Sequence, residues 1–109
     1  PYSNKKLVSM DMEERYRLII STILNAIGCQ VEVEHMLSTG RTDIVASTSR
    51  FIYVMELKLA NNGGINAAEK QMIDNGYLKP FLADDRKVIG VAVELDDMGK
   101  GLIDWKEVK

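Results

Sequence analysis

The sequence predicts a mixed α/β domain, a central mixed sheet flanked by helices, and three observations carry the prediction. An early stretch repeats apolar residues at three- and four-residue intervals, as one face of a helix does. Several shorter stretches alternate apolar with polar residues or run apolar with β-branched side chains, as strands do. The order is helix, three strands, helix, strand and one further element, which suits a mixed sheet with helices on its faces.

The elements follow in turn. Residues 1–9 are polar and read as a disordered or linker lead-in, and residues 10–109 as one domain. With Pro1 in place of an initiator methionine and no apolar signal segment, the chain reads as a fragment of a longer protein. Asp11 followed by Glu14 resembles a helix N-cap with an acid three residues on. Met12, Tyr16, Ile19, Ile20, Ile23, Leu24 and Ile27 then form one stripe that ends at Gly28, a natural C-terminal stop. Cys29 to His35 alternates like a strand with one wet face. A turn at Ser38-Thr39-Gly40 leads to a strand over Thr42 to Ala46, and Thr48-Ser49 offers a tight connection into Phe51 to Leu59. Asn61-Asn62-Gly63-Gly64 breaks the pattern, Asn66 to Glu69 opens a second helix running to about Gly76, and Pro80 forbids much extension. Lys87 to Leu95 suits a strand covered on both faces, and Leu102 to Val108 suits an edge strand or a terminal helix.

Composition narrows the function classes. Of the 109 residues, 46% are hydrophobic and 28% charged, as in ordinary globular domains, and no apolar run reaches the length of a membrane span. Cys29 and His35 are each the single residue of their kind. That removes an internal disulfide, a thiolate zinc cluster and a two-histidine metal site, and it makes the cytoplasm the expected compartment. A net charge of −2 neither advertises nor forbids nucleic acid. Hard oxygen ligands are what remain for a metal.

The chemistry concentrates in Phe51 to Leu59, where Glu56 and Lys58 interrupt an apolar strand that normally excludes unpaired charge. Residues two apart share a face, so Glu56 and Lys58 point together. With a two-residue turn at Thr48-Ser49, Asp43 lies across from Val54 on that same face, and a three-residue loop would reverse its side. Two carboxylates can hold Mg²⁺, with the carbonyl of Leu57 between them as a further ligand, while an ammonium compensates charge growing on a phosphate. An Asp/Glu/Lys ion-pair network at a strand end fits the pattern equally well.

Gly40-Arg41-Thr42-Asp43-Ile44-Val45 followed by Ile52-Tyr53-Val54-Met55-Glu56-Leu57-Lys58-Leu59 resembles the core motif of the PD-(D/E)XK nuclease superfamily. The resemblance implies a restriction-endonuclease-like αβββαβ core and covers roughly residues 13–105. It is closest to the branch found at the carboxyl end of AAA-ATPase-like bacterial proteins, with Glu13 and Tyr16 matching its Glu-x-x-Tyr, and Ala68, Gln71 and Tyr77 matching its second helix. Thr42 stands where the superfamily's name has proline, a position that varies in the family.

What the resemblance implies is a metal-dependent nuclease using Mg²⁺, with Mn²⁺ able to substitute, and DNA as the expected substrate. Asp43, Glu56 and Lys58 would be catalytic, with Glu13 and Gln71 in support, and Asp43, Glu56 and the Leu57 carbonyl would hold the metal. Arg41, Lys70, Tyr77 and Lys79 are the candidate nucleic-acid contacts, although surface cations are often merely solvated and Tyr77 also reads as a core residue. An attached AAA-ATPase-like domain and a homodimer are further expectations. The alternative is a non-catalytic module of the same fold that binds nucleic acid or regulates an attached ATPase domain.

Overall fold

The computed structural model describes residues 4–37 and 40–109. Helix α1 (Asn4–Ala26) precedes strands β1 (Gln30–Leu37), β2 (Gly40–Ser47) and β3 (Phe51–Leu59). Helix α2 (Gly64–Asp74) then leads to β4 (Lys87–Leu95) and β5 (Leu102–Val108), with short 3₁₀ turns at Ala60–Asn62 and Lys79–Phe81. The five strands lie in sequence order, β3 and β4 parallel and every other pair antiparallel. Parallel neighbours need a crossover, and α2 is that crossover. The final segment is therefore an edge strand, not a terminal helix.

The two sheet faces carry separate cores. On one, Val45, Ile52, Val54 and Ala92 pack with Ala68, Met72 and Tyr77 of the α2 segment. On the other, Ile44, Ala46, Leu57, Leu59, Val93 and Leu95 pack with Tyr16 of α1. The alternation of β3 thus serves both helices, its even-numbered residues facing α2 and its odd-numbered residues α1.

Several boundaries differ from expectation, each for a physical reason. No glycine or proline stands between Asn4 and Ala26, so α1 runs through residues 4–9 and Asp11 lies inside it instead of capping it. Residues 1–3 and the expected turn at Ser38-Thr39 lie outside the described residues. Of the predicted stripe, Met12, Tyr16, Ile20 and Leu24 pack on the sheet, whereas Ile19, Ile23 and Ile27 are exposed. β4 is covered on both faces as expected, Ala92 toward α2 and Val93 and Leu95 toward α1, where Val91, Val93 and Leu95 also line a groove of about 380 Å³ between α1 and β5.

The β2–β3 turn falls one residue later than expected. The Thr48 hydroxyl accepts the N–H groups of Arg50 and Phe51, and the Thr48 N–H donates to the Phe51 carbonyl at 2.9 Å, which closes the hairpin around Ser49-Arg50. Val45, not Asp43, consequently pairs with Val54. The shift moves every partner by two positions, so each side chain keeps its face.

Helix α2 begins at Gly64 rather than Asn66. Gly63 and Gly64 both have positive φ, 97° and 60°, and no side chain of the helix itself caps it. Glu94 of β4 does so from across the sheet, its Oε1 accepting the Ile65 N–H at 2.9 Å.

Candidate active site

The site forms where β2 and β3 part. Their ladder is regular from Ser47 opposite Ile52 to Ile44 opposite Met55. Beyond it, side chains replace backbone partners: Thr42 Oγ1 donates to the Met55 carbonyl at 3.1 Å, and the Leu57 N–H donates to Asp43 Oδ2 at 2.9 Å. Continuing the register sets Asp43 opposite Glu56, on the α2 face that Lys58 shares. Short polar side chains thus satisfy the buried backbone groups that the departing strand leaves behind.

Glu56 is 4% exposed, an unusual burial for a carboxyl group. Gln71 of α2 donates from Nε2 to Glu56 Oε1 at 3.2 Å. Burial pushes the Glu56 carboxyl up to about 9, the hydrogen bond to Asp43 and the Asp43 charge push the same way, and the Lys58 ammonium opposes them. At neutral pH the protonated form of Glu56 is therefore the favoured one, as burial beside a second carboxyl group dictates. Lys58 is half-buried and forms no hydrogen bond or ion pair among the described residues.

A divalent cation fits this donor set. Two carboxyl groups and the Leu57 carbonyl are hard oxygen ligands, and Mg²⁺ is commonly held by one or two carboxylates with water completing its shell. Ionising Glu56 would set a second negative charge beside Asp43 in a buried position, where a bound cation would offset it. Among the described residues no group of three or more Asp, Glu, His or Cys side chains gathers to hold a metal.

Glu13, expected to support this pair, is turned elsewhere, its Oε1 accepting from Asn62 Nδ2 at 3.1 Å beside the 3₁₀ turn after β3. The contribution of α1 to the pair comes one turn later, from Arg17. Its Nη2 donates to Asp43 Oδ1 at 3.3 Å and its Nη1 to Glu34 Oε1 at 3.1 Å. Sequence reasoning missed Arg17 because a cation on a helix flank looks like a solvated one, and only its distance of one turn from Glu13 hinted at a role.

A family model described as the PD-(D/E)XK nuclease superfamily matches residues 11–105. The chain belongs to the PD-(D/E)XK nuclease superfamily. Comparison with curated proteins and with solved structures gives no match. The five-stranded mixed sheet with a helix on each face is consistent with the restriction-endonuclease-like fold, and membership suggests a nuclease function.

The candidate nucleic-acid contacts of this PD-(D/E)XK domain divide. Arg41 is exposed and pairs with Glu34 at 3.4 Å, and exposed Lys70 pairs with Asp74 at 2.7 Å, one turn along α2. Lys79 is exposed in the second 3₁₀ turn. Tyr77 is not a surface residue: it is 6% exposed, its ring lies against Gly90, and its hydroxyl donates to the Val108 carbonyl at 2.8 Å. A tyrosine held in this way ties α2 to the edge strand and offers no face for a base to stack on.

Proposed function

We propose that this domain is a Mg²⁺-dependent nuclease acting on DNA. Asp43, Glu56 and the Leu57 carbonyl hold the ion, Lys58 compensates charge at the phosphate, and Gln71 orients Glu56. The observation that carries the reading is a buried Glu56 beside Asp43, its carboxyl pushed up to about 9, on the face that also presents Lys58, which forms no ion pair among the described residues. Burying Glu56 beside a partly buried Asp43 and Lys58 is costly, and a cation and phosphate site accounts for the grouping.

When bound, Mg²⁺ or Mn²⁺ supplies Lewis-acid polarisation of the phosphate and a hydrolytic nucleophile at neutral pH. The chain's own residues do the rest. The Leu57 N–H fixes Asp43 Oδ2, and Thr42 ties the neighbouring residue of β2 to β3, so that Asp43 is set by backbone geometry. Gln71 donates to one oxygen of Glu56 and thereby selects which faces Asp43. Lys58, which forms no ion pair among the described residues, is placed to stabilise the charge that develops on a phosphodiester in the transition state.

The test is incubation of the purified domain with Mg²⁺ or Mn²⁺ and single-stranded, duplex and branched DNA. Cleavage is expected, falling on the order of 10²-fold or more for Lys58→Ala, as for loss of a transition-state charge stabiliser. Cleavage untouched by Lys58→Ala would refute the mechanism. DNA binding with neither cleavage nor cation binding would make the domain a binding module instead.

A further inference from the structure

Arg17 stands in an arrangement that the reading above does not use. Its side chain is 16% exposed and lies between two carboxylates, 3.3 Å from Asp43 and 3.1 Å from Glu34. Each carboxylate receives a single N–H, not the two-pronged grip of a guanidinium settled on one partner. Arg17 Nε is buried with no hydrogen-bond partner among the described residues. Glu34 occupies a conformation rare outside glycine, with φ of 53°, at the position where the β1–β2 pairing is interrupted between Val33 opposite Ile44 and His35 opposite Thr42. The same register aligns Glu34 with Asp43, and like charges directly across a strand pair repel. The Arg17 guanidinium is the positive charge that touches both of them, while among the described residues the exposed Arg41 pairs with Glu34 alone at 3.4 Å.

We infer that Arg17 is a positioning residue: a resident counter-cation that holds Asp43 in place and sets the affinity of the carboxylate pair for a divalent cation. The inference rests on the cation reading of Asp43 and Glu56. A cation seated at Asp43 stands beside a fixed positive charge, and the two repel through the low-dielectric edge of the sheet. Binding therefore requires the guanidinium to yield Asp43 Oδ1. Glu34 keeps the released side chain anchored, and the incomplete hydrogen bonding of Arg17 lowers the cost of that shift.

Calorimetric titration of Mn²⁺ into the wild type, Arg17→Gln, Arg17→Lys and Glu34→Gln proteins tests this, with thermal melts confirming that each variant is folded. Arg17→Gln is expected to bind Mn²⁺ about tenfold more tightly or better, since a like charge is removed from the site's edge. Arg17→Lys keeps the charge and stays near the wild type. Glu34→Gln leaves the guanidinium with Asp43 alone and weakens binding, and it carries the test should Arg17→Gln fail to fold. Mn²⁺ binding by the wild type with equal or weaker binding by Arg17→Gln, or with unchanged binding by Glu34→Gln, overturns this inference and leaves the cation reading standing. Absence of Mn²⁺ binding in all four proteins overturns both.

Discussion

Glu56 is the residue at which burial and chemistry meet. Its carboxyl titrates near 9 in the fold against an ordinary 4.5, mainly because burial penalises the charged form. The folded state thus keeps a proton that the unfolded chain gives up. Stability from this group is present in full below about 4.5 and is lost as pH rises toward about 9, on the order of 1 kcal/mol for each pH unit in that window. Glu56→Gln keeps the hydrogen-bonding shape without the titration, so denaturant melts should find it more stable than the wild type at pH 8 and similar at pH 4. A wild-type stability that is flat from pH 5 to 8 would show that Glu56 is not held neutral. The rigid period of a strand made Glu56 and Lys58 legible as a same-face pair, and a turn of even length brought Asp43 to that face. Arg17 and Glu34 were not legible, because nothing local distinguishes them from other surface charges on a helix and an edge strand.

The elements are fastened at their ends by side chains distant in sequence. Tyr16 joins α1 to the β4–β5 turn, its hydroxyl donating to the Asp96 carbonyl at 2.8 Å and accepting the Gly101 N–H at 3.0 Å. Tyr16→Phe removes both bonds while keeping the ring, and chemical denaturation should show a loss of about 1–3 kcal/mol. At the start of α2, Glu94 of β4 takes the capping role. A Cβ at Gly64 would collide with the Glu94 carboxylate and would force φ of 60° on a residue that resists it, so Gly64→Ala should destabilise by about 1 kcal/mol or more in the same assay. An unchanged midpoint would mean that this cap contributes nothing. Capping across 29 residues of sequence is invisible to any local pattern, which is why the helix start was misread.

At the scale of the molecule, one strand organises everything. β3 lies in the middle of the sheet, sends alternate residues to two cores, and carries the candidate site on the α2 face at the point where β2 leaves it. A ligand that binds only the folded site stabilises the whole domain by mass action. Millimolar Mn²⁺ should therefore raise the melting temperature of the wild type, and the rise should vanish in Asp43→Asn. An equal rise in that variant would place the ion elsewhere. No helix among the described residues is long and apolar enough to cross a membrane.

The fold class, the first four strands, the face shared by Asp43, Glu56 and Lys58, and the nuclease superfamily were all legible in the sequence, because periodicity and short motifs act over a few residues, whereas only the pairing with β4 made Leu102–Val108 a strand. Tertiary structure alone decided that Thr48 closes the hairpin one residue late, that Tyr77 is buried, that Glu94 caps α2, and that Arg17 instead of Glu13 reaches Asp43. These outcomes depend on which side chains two separate elements bring within about 3 Å of each other, and hydrogen bonds and charges act only over that short range.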